Sequence, residues 1–224
     1  MIVPPHLPKE TRKEYALRAI RENIIKWELK PGSLVSEQKL ADELGLSRIP
    51  VREALTELSK SRIVEIYPQR GSRIAPIDYD LIQEAEFIRR VMDCAIVEMS
   101  CEIATQENFD WLEEHLNLQT YYWKNSSPER LSELDFEYHK YYYEICNKMQ
   151  CHAMVQNMNI HFDRVRHISI LIQKDLKLVD DHRKIFEAVR ARDPVLAHQL
   201  VCKHLTRYQV EKEAIEEAFL QYFK

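Results

Sequence analysis

The sequence predicts a mainly α-helical protein: a winged helix-turn-helix over residues 1–76, then an all-α antiparallel bundle over residues 77–224. Three observations predict it. Glycine is scarce, 3 residues in 224, whereas hairpin-rich sheets and phosphate-cradling loops need more. Apolar residues recur at helical spacing along most of the chain. Only residues 63–75 show two β-branched runs flanking a turn with glycine.

The elements follow in order. Residues 1–9 are proline-rich and read as a loose arm. Tyr15, Ala16, Ala19, Ile20, Ile24 and Trp27 mark one face of a helix from about Thr11 to Trp27, and Lys30-Pro31-Gly32 stops it. Ser36 is placed to cap a short second helix with Leu40, Ala41 and Leu44 inside, and Gly45 to take the left-handed turn after it. The third helix runs from Ser47 to about Ser61. The Ser47 hydroxyl is expected to accept a first-turn N–H, and Pro50 stands where a missing N–H costs little. Arg48 and Arg52, four apart, share one face, while Val51, Leu55 and Leu58 share another. A helix start showing two arginines and a hydroxyl, its back packed on a small core, is built to meet an anion. The reading is DNA, with this helix as the second of a helix-turn-helix. Two runs, Ile63 to Tyr67 and Ser72 to Ala75, flank Pro68-Gln69-Arg70-Gly71 and form a wing with Gln69 and Arg70 at its tip. A generic three-helix pack with a stray hairpin is the competing reading.

Net charge is −4, but residues 1–75 hold 14 Lys and Arg against 10 Asp and Glu, so the N-terminal part is basic and the remainder acidic. That asymmetry fits a nucleic-acid module at the N-terminal end. No run of apolar residues is long enough to span a membrane, and residues 1–6 lack the pattern of a signal peptide. The 5 cysteines form no Cys-x-x-Cys pair. A reduced, cytoplasmic protein is the expectation.

After Ala75-Pro76-Ile77-Asp78, nothing reads as a strand. Helices are expected over about Tyr79 to Ala104, Asn108 to Lys124, Pro128 to Asn147, His152 to Gln173 and Leu178 to Arg190, with a last one from the cap Asp193-Pro194 toward Phe219. Several polar side chains fall on the inward faces of this bundle. Asp135 and His139, four apart, lie among Leu131, Leu134, Tyr138 and Tyr142. His182 lies among Leu178, Ile185, Phe186 and Val189, His204 among Ala197, Leu200, Val201 and Tyr208, and Arg89 among Ala85, Met92 and Ile96. Buried polar groups need partners, and one divalent cation would satisfy a carboxylate and three imidazoles at once. That donor set suits Zn, with Ni, Mn or Fe as alternatives. Arg89 could then hold the carboxylate of a small organic acid. The competing reading is a set of core histidines bonded to neighbours, with Asp135 and His139 simply paired. His161 and His167 compete as ligands.

With these residues in view, residues of about 10–75 resemble the winged helix-turn-helix of GntR-family bacterial transcription regulators. The likeness rests on Gly32-Ser33-Leu34, on Glu37-Gln38-Lys39-Leu40-Ala41, on the run from Leu46 through Ser47-Arg48-Ile49-Pro50-Val51-Arg52 to Leu55, and on Pro68-Gln69-Arg70-Gly71. The remainder resembles the FCD effector domain of the FadR subfamily, a bundle of six or seven helices. The pointers there are Arg89, Asp135-x-x-x-His139, Asp181-His182-Arg183-Lys184-Ile185, Arg192-Asp193-Pro194 and Lys203-His204-Leu205. The resemblance implies DNA contacts from Ser47, Arg48, Ile49, Pro50, Arg52, Gln69, Arg70 and Gly71, and a metal site of Asp135, His139, His182 and His204 beside an effector pocket. Ile49 stands where the family commonly has Thr, and Gln38 where it often has Arg, so the operator sequence is not implied. The expected function is a homodimeric regulator, a repressor by preference and not an enzyme. It would bind a palindromic operator in double-stranded DNA, with a small organic acid at the metal and Arg89 controlling that binding. A metal-dependent hydrolase fused to a DNA-binding module is the alternative from another class.

Overall fold

A computed structural model of the protein describes residues 1–172, 177–206 and 215–224. Helix α1 (Arg12–Ile25) begins at a capping box: Thr11 Oγ1 accepts the Glu14 N–H at 3.2 Å, and the Glu14 carboxylate accepts the Thr11 N–H at 2.8 Å. Its inner face is Tyr15, Ala16, Ala19, Ile20 and Ile24, the spacing seen in the sequence. Helix α2 (Glu37–Leu44) ends at Gly45, whose φ of 66° is the left-handed cap that a turn into the next helix requires. Helix α3 (Arg48–Lys60) starts after Ser47. Ser36 and Ser47 occupy the N-cap positions, but neither side chain makes the capping bond expected of it. Their extended backbone alone turns the chain into the helix. Leu40, Ala41, Leu44, Val51, Ala54, Leu55 and Leu58 close one small core with α1.

The wing is larger than a hairpin. Strands β2 (Val64–Tyr67) and β3 (Gly71–Ile74) pair antiparallel, and a two-residue strand β1 (Leu34–Val35) pairs with β3 on its other edge, giving the order β1-β3-β2. Gly71 has φ 96° and passes so close to β1 that a Cβ there would lie 3.3 Å from the Val35 carbonyl oxygen. The N-terminal arm is docked rather than loose. The Ile2 N–H donates to Asn23 at 2.7 Å, the Tyr15 hydroxyl donates to the Pro4 carbonyl at 3.0 Å, and His6 stacks on Tyr15.

The bundle comprises α4 (Tyr79–Ile103), α5 (Gln106–Lys124), α6 (Pro128–Ile145), α7 (Met149–Ile172), α8 (Lys177–Arg190) and α9 (Pro194–Leu205). Asp193 caps α9 through its side chain, accepting the Leu196 N–H at 2.9 Å. Helix α5 begins two residues before Asn108, because Thr105 and Asn108 form a capping box. Helix α4 packs against α6, α7, α8 and α9 and is the bundle's centre. The expected course of the last helix through Tyr208 and the end of the fourth at Gln173 lie outside the described residues. No helix among the described residues is long and apolar enough to cross a membrane.

Helix α7 is also the main bridge to the N-terminal part. The buried Arg164 donates from Nη1 to the Ala75 carbonyl at 2.8 Å, His161 Nε2–H donates to the Ser61 carbonyl at 2.7 Å, and Trp27 Nε1–H donates to the Arg164 carbonyl at 3.1 Å.

Candidate nucleic-acid interface and metal centre

The start of α3 lies at the surface. Ser47, Arg48, Ile49 and Arg52 are exposed, as are Gln69, Arg70 and Gly71 at the wing tip. Gln69 takes a left-handed φ of 63° in that turn, a conformation that suits a tight tip. Pro50 differs from the expectation of a contact residue: it is buried, and it shapes the first turn instead of presenting a surface. Both arginines face one partner that the spacing argument did not foresee. Glu37 on α2 accepts from Arg52 Nη2 at 2.9 Å and lies 3.6 Å from Arg48 Nη2. Hydrogen bonding from Arg52 holds the Glu37 carboxyl below its usual range. The pair is solvated, so exchanging Glu37 for a phosphate or a base edge costs little.

The second site is enclosed. Asp135 and His139 project from α6, His182 from α8 and His204 from α9, all four buried or nearly so. Their donor atoms converge. His139 Nε2 and His204 Nε2 are 3.2 Å apart, His182 Nε2 and His204 Nε2 3.3 Å, and Asp135 Oδ1 lies 3.4 Å from His182 Nε2 and 3.9 Å from His139 Nε2. Donors about 2.0–2.2 Å from one tetrahedral zinc stand about 3.4 Å from one another, so this spacing fits a single ion. Each imidazole also turns its other nitrogen to a backing group. His182 Nδ1–H donates to Gln119 Oε1 at 2.8 Å, His139 Nδ1 lies 3.6 Å from Asp93, and His204 Nδ1 lies 3.7 Å from Asp181. Only the His182 contact is a hydrogen bond of the kind that fixes the tautomer of a ligating histidine, and the other two carboxylates lie beyond hydrogen-bond reach. Burial pushes His139 and His182 well below the ordinary imidazole range and lowers His204 as well, leaving neutral rings with lone pairs to offer.

A guanidinium lies against these donors. Arg166 on α7 donates from Nε to Asp135 Oδ2 at 2.7 Å and from Nη2 to Asp135 Oδ1 at 2.5 Å, and the same Nη2 reaches His204 Nε2 at 2.9 Å. Burial alone would raise the Asp135 carboxyl, but the Arg166 guanidinium, with Arg89 further off, holds it far below the usual range. The sequence reading missed Arg166 and Gln119. Arg166 was indicated only by the need of a buried carboxylate for a cation.

Arg89, the expected effector ligand, is buried and committed to Asp93 at 3.2 Å, with Asp163 at 3.8 Å. It lines a cavity of about 1110 Å³ together with Asp93, Asp135, His139, Asp163 and Arg166. Tyr143 stands at the same wall, its hydroxyl donating to Asp93 at 2.6 Å. The competing histidines are engaged elsewhere: His161 holds Ser61, and His167 Nδ1 meets the Ser132 hydroxyl at 3.2 Å.

A winged helix-turn-helix with arginines at an exposed helix start, carried on a helical bundle, defines the class of DNA-binding transcription regulators. Residues 13–74 match the gntR family of bacterial regulatory proteins, and residues 84–207 match the FCD domain. The chain belongs to the GntR family of transcription regulators, with an FCD domain as its helical part. It is 27% identical over 199 residues, 88% of this chain and 87% of the relative, to the HTH-type transcriptional repressor RspR of Escherichia coli. The fold is that of the solved E. coli McbR/YncC, at a TM-score of 0.80 and 17% identity over 93% of this chain and 99% of that one. A GntR regulator from Rhodococcus sp. RHA1 is also similar, at a TM-score of 0.72 and 22% identity over 93% of this chain and 99% of that one.

Proposed function

We propose that this regulator is a homodimeric repressor of the FadR subfamily whose hold on a palindromic operator is controlled by a small organic acid received beside a divalent cation in the bundle. The observation that carries the proposal is the convergence of Asp135, His139, His182 and His204 at the end of a cavity whose wall, α7, also grips the N-terminal part. These four residues would hold the ion, zinc foremost and nickel, manganese or iron as alternatives. A bound cation there supplies a Lewis-acidic anchor for a carboxylate oxygen.

Charge favours this order of binding. The inner end of the cavity sets the guanidiniums of Arg89 and Arg166 against the carboxylates of Asp93, Asp135 and Asp163. Arg21 also lies 3.7 Å from Asp163, so the charges balance, and a divalent cation gives the site a net positive charge. An anionic effector is therefore received only when the site is loaded. The His204 lone pair can serve Arg166 or a cation but not both, so loading frees Arg166 to face the cavity. Arg166, Arg164 and His161 share α7, and the latter two hold the Ala75 and Ser61 carbonyls. A shift of α7 with effector would thus move the winged helix-turn-helix, which is the two-state element that control requires.

On the DNA side, Arg48 and Arg52 would read guanine edges, and the exposed Ile49 would meet a thymine methyl where a hydroxyl is absent. Ser47 and the wing residues Gln69, Arg70 and Gly71 would set register on the backbone. Dimerisation is supported by a stripe on α4: Phe87, Val91, Ala95, Met99 and Ile103, at steps of four, are all exposed. The test is selection of a palindromic duplex from a random pool by the full-length protein, followed by titration of zinc and a panel of hydroxycarboxylates into the complex. Release by a hydroxycarboxylate only in the presence of the metal is the expected result. Release by the acid alone would refute the coupling.

A further inference from the structure

The packing of α4 on α9 brings two thiols together outside the polar centre. Cys94 Sγ and Cys202 Sγ lie 3.0 Å apart, closer than non-bonded sulfur atoms ordinarily come. The helices run antiparallel, and one turn along each, His198 Nδ1 meets Glu98 at 2.6 Å. Cys94 is buried at 3% exposure, while Cys202 is half-buried. The Cys146 thiol is engaged elsewhere, with the Ser100 hydroxyl and the Ile96 carbonyl.

Two chemistries suit such a pair, and the spacing separates them. His198 is a third soft donor within 4.8 Å, which would suit a thiophilic metal. Two thiolates on one tetrahedral zinc, however, stand about 3.8 Å apart for Zn–S bonds of about 2.3 Å. At 3.0 Å the two sulfurs stand about 0.8 Å too close for that, and His198 Nδ1 is already taken by Glu98, whereas a disulfide bond of about 2.05 Å needs only a further approach. We propose that Cys94 and Cys202 are a peroxide-oxidisable dithiol that closes to a disulfide across α4 and α9. Cys202, the less buried residue of the pair, attacks the peroxide and becomes a sulfenic acid, and one water leaves. The Cys94 sulfur then attacks the Cys202 sulfur. The S–S bond forms, the S–O bond breaks and a second water leaves. The two thiols give up two protons and two electrons, and the peroxide takes them up. Helix α4 also carries Arg89 and Asp93, and α9 carries His204, so the bond fixes the spacing of groups at the inner end of the cavity.

The experiment treats reduced full-length protein with hydrogen peroxide and reads intact mass and a peptide map made without reductant. The expected result is a loss of about 2 Da, the two hydrogens of a disulfide, and a single linked peptide pair that a thiol reductant releases. Cys202→Ser, at a half-buried position that tolerates the change, should abolish the link, and Cys151→Ser should keep it. A gain of oxygen without a link, an unchanged mass, or a link through another cysteine would overturn the proposal. So would one zinc per chain retained by wild-type protein and lost in Cys202→Ser, which would assign the pair to a metal.

Discussion

The start of α3 and the centre between α6, α8 and α9 both set arginine against carboxylate, and they do so under opposite conditions. Arg48 and Arg52 meet Glu37 at the surface, where water competes for every charge. Arg166 meets Asp135 among buried imidazoles at the wall of the cavity. An exposed pair is cheap to break, which is what a surface that must trade its partner for DNA needs. A buried carboxylate is expensive to leave alone, so the enclosed site must always hold a cation, either Arg166 or a metal. The first site is poised for exchange by solvation and the second by substitution.

The largest expected effect follows from the enclosed site. Arg166→Ala in metal-stripped protein should cost about 3–5 kcal/mol of stability, the penalty for orphaning a buried charge, and zinc should restore most of it. Chemical denaturation with and without zinc measures both, and a loss that zinc does not relieve would break the idea of substitution. At the exposed site, Arg52→Ala should weaken binding to a selected operator roughly 10- to 100-fold with the melting temperature unchanged, read by mobility shift. Gln119→Ala removes the group that orients His182 and should lower zinc affinity about 10-fold, read by competition with a chelator.

A further effect concerns pH. Burial holds His161 down to about 4 in the folded protein, against about 6.5 for an unfolded imidazole. The unfolded chain therefore takes up the proton first. Stability is unaffected above that higher value and falls as pH drops from it toward about 4, by up to about 1.4 kcal/mol per pH unit. His161→Gln should flatten that slope, and melting temperatures across the window measure it.

The exposed region was legible in the sequence because its information is local. Gly45, Ser47 and the apolar spacing of Val51, Leu55 and Leu58 place α3 without reference to anything distant. What stayed hidden there was the partner, since Glu37 meets Arg52 only after the turn closes. Strand β1 was hidden for the same reason: two residues have no alternation to detect, and only the edge of β3 makes them a strand. In the enclosed region, inward-facing Asp135, His139, His182 and His204 could be picked from helical faces. Their convergence depends on how α6, α8 and α9 pack, and Arg166 enters from a fourth helix whose own pattern does not mark it. His161 and His167 show the converse, since inward position alone did not separate a member of the converging set from a residue that ties one element to another.

The account turns on whether the buried donors hold a metal ion. Elemental analysis of the purified, full-length protein after reconstitution with zinc should give one equivalent per chain. Asp135→Ala and His182→Ala should abolish it, while Arg52→Ala leaves it intact. No stoichiometric metal in the wild-type protein, or the same content in the Asp135 and His182 variants, would contradict the account.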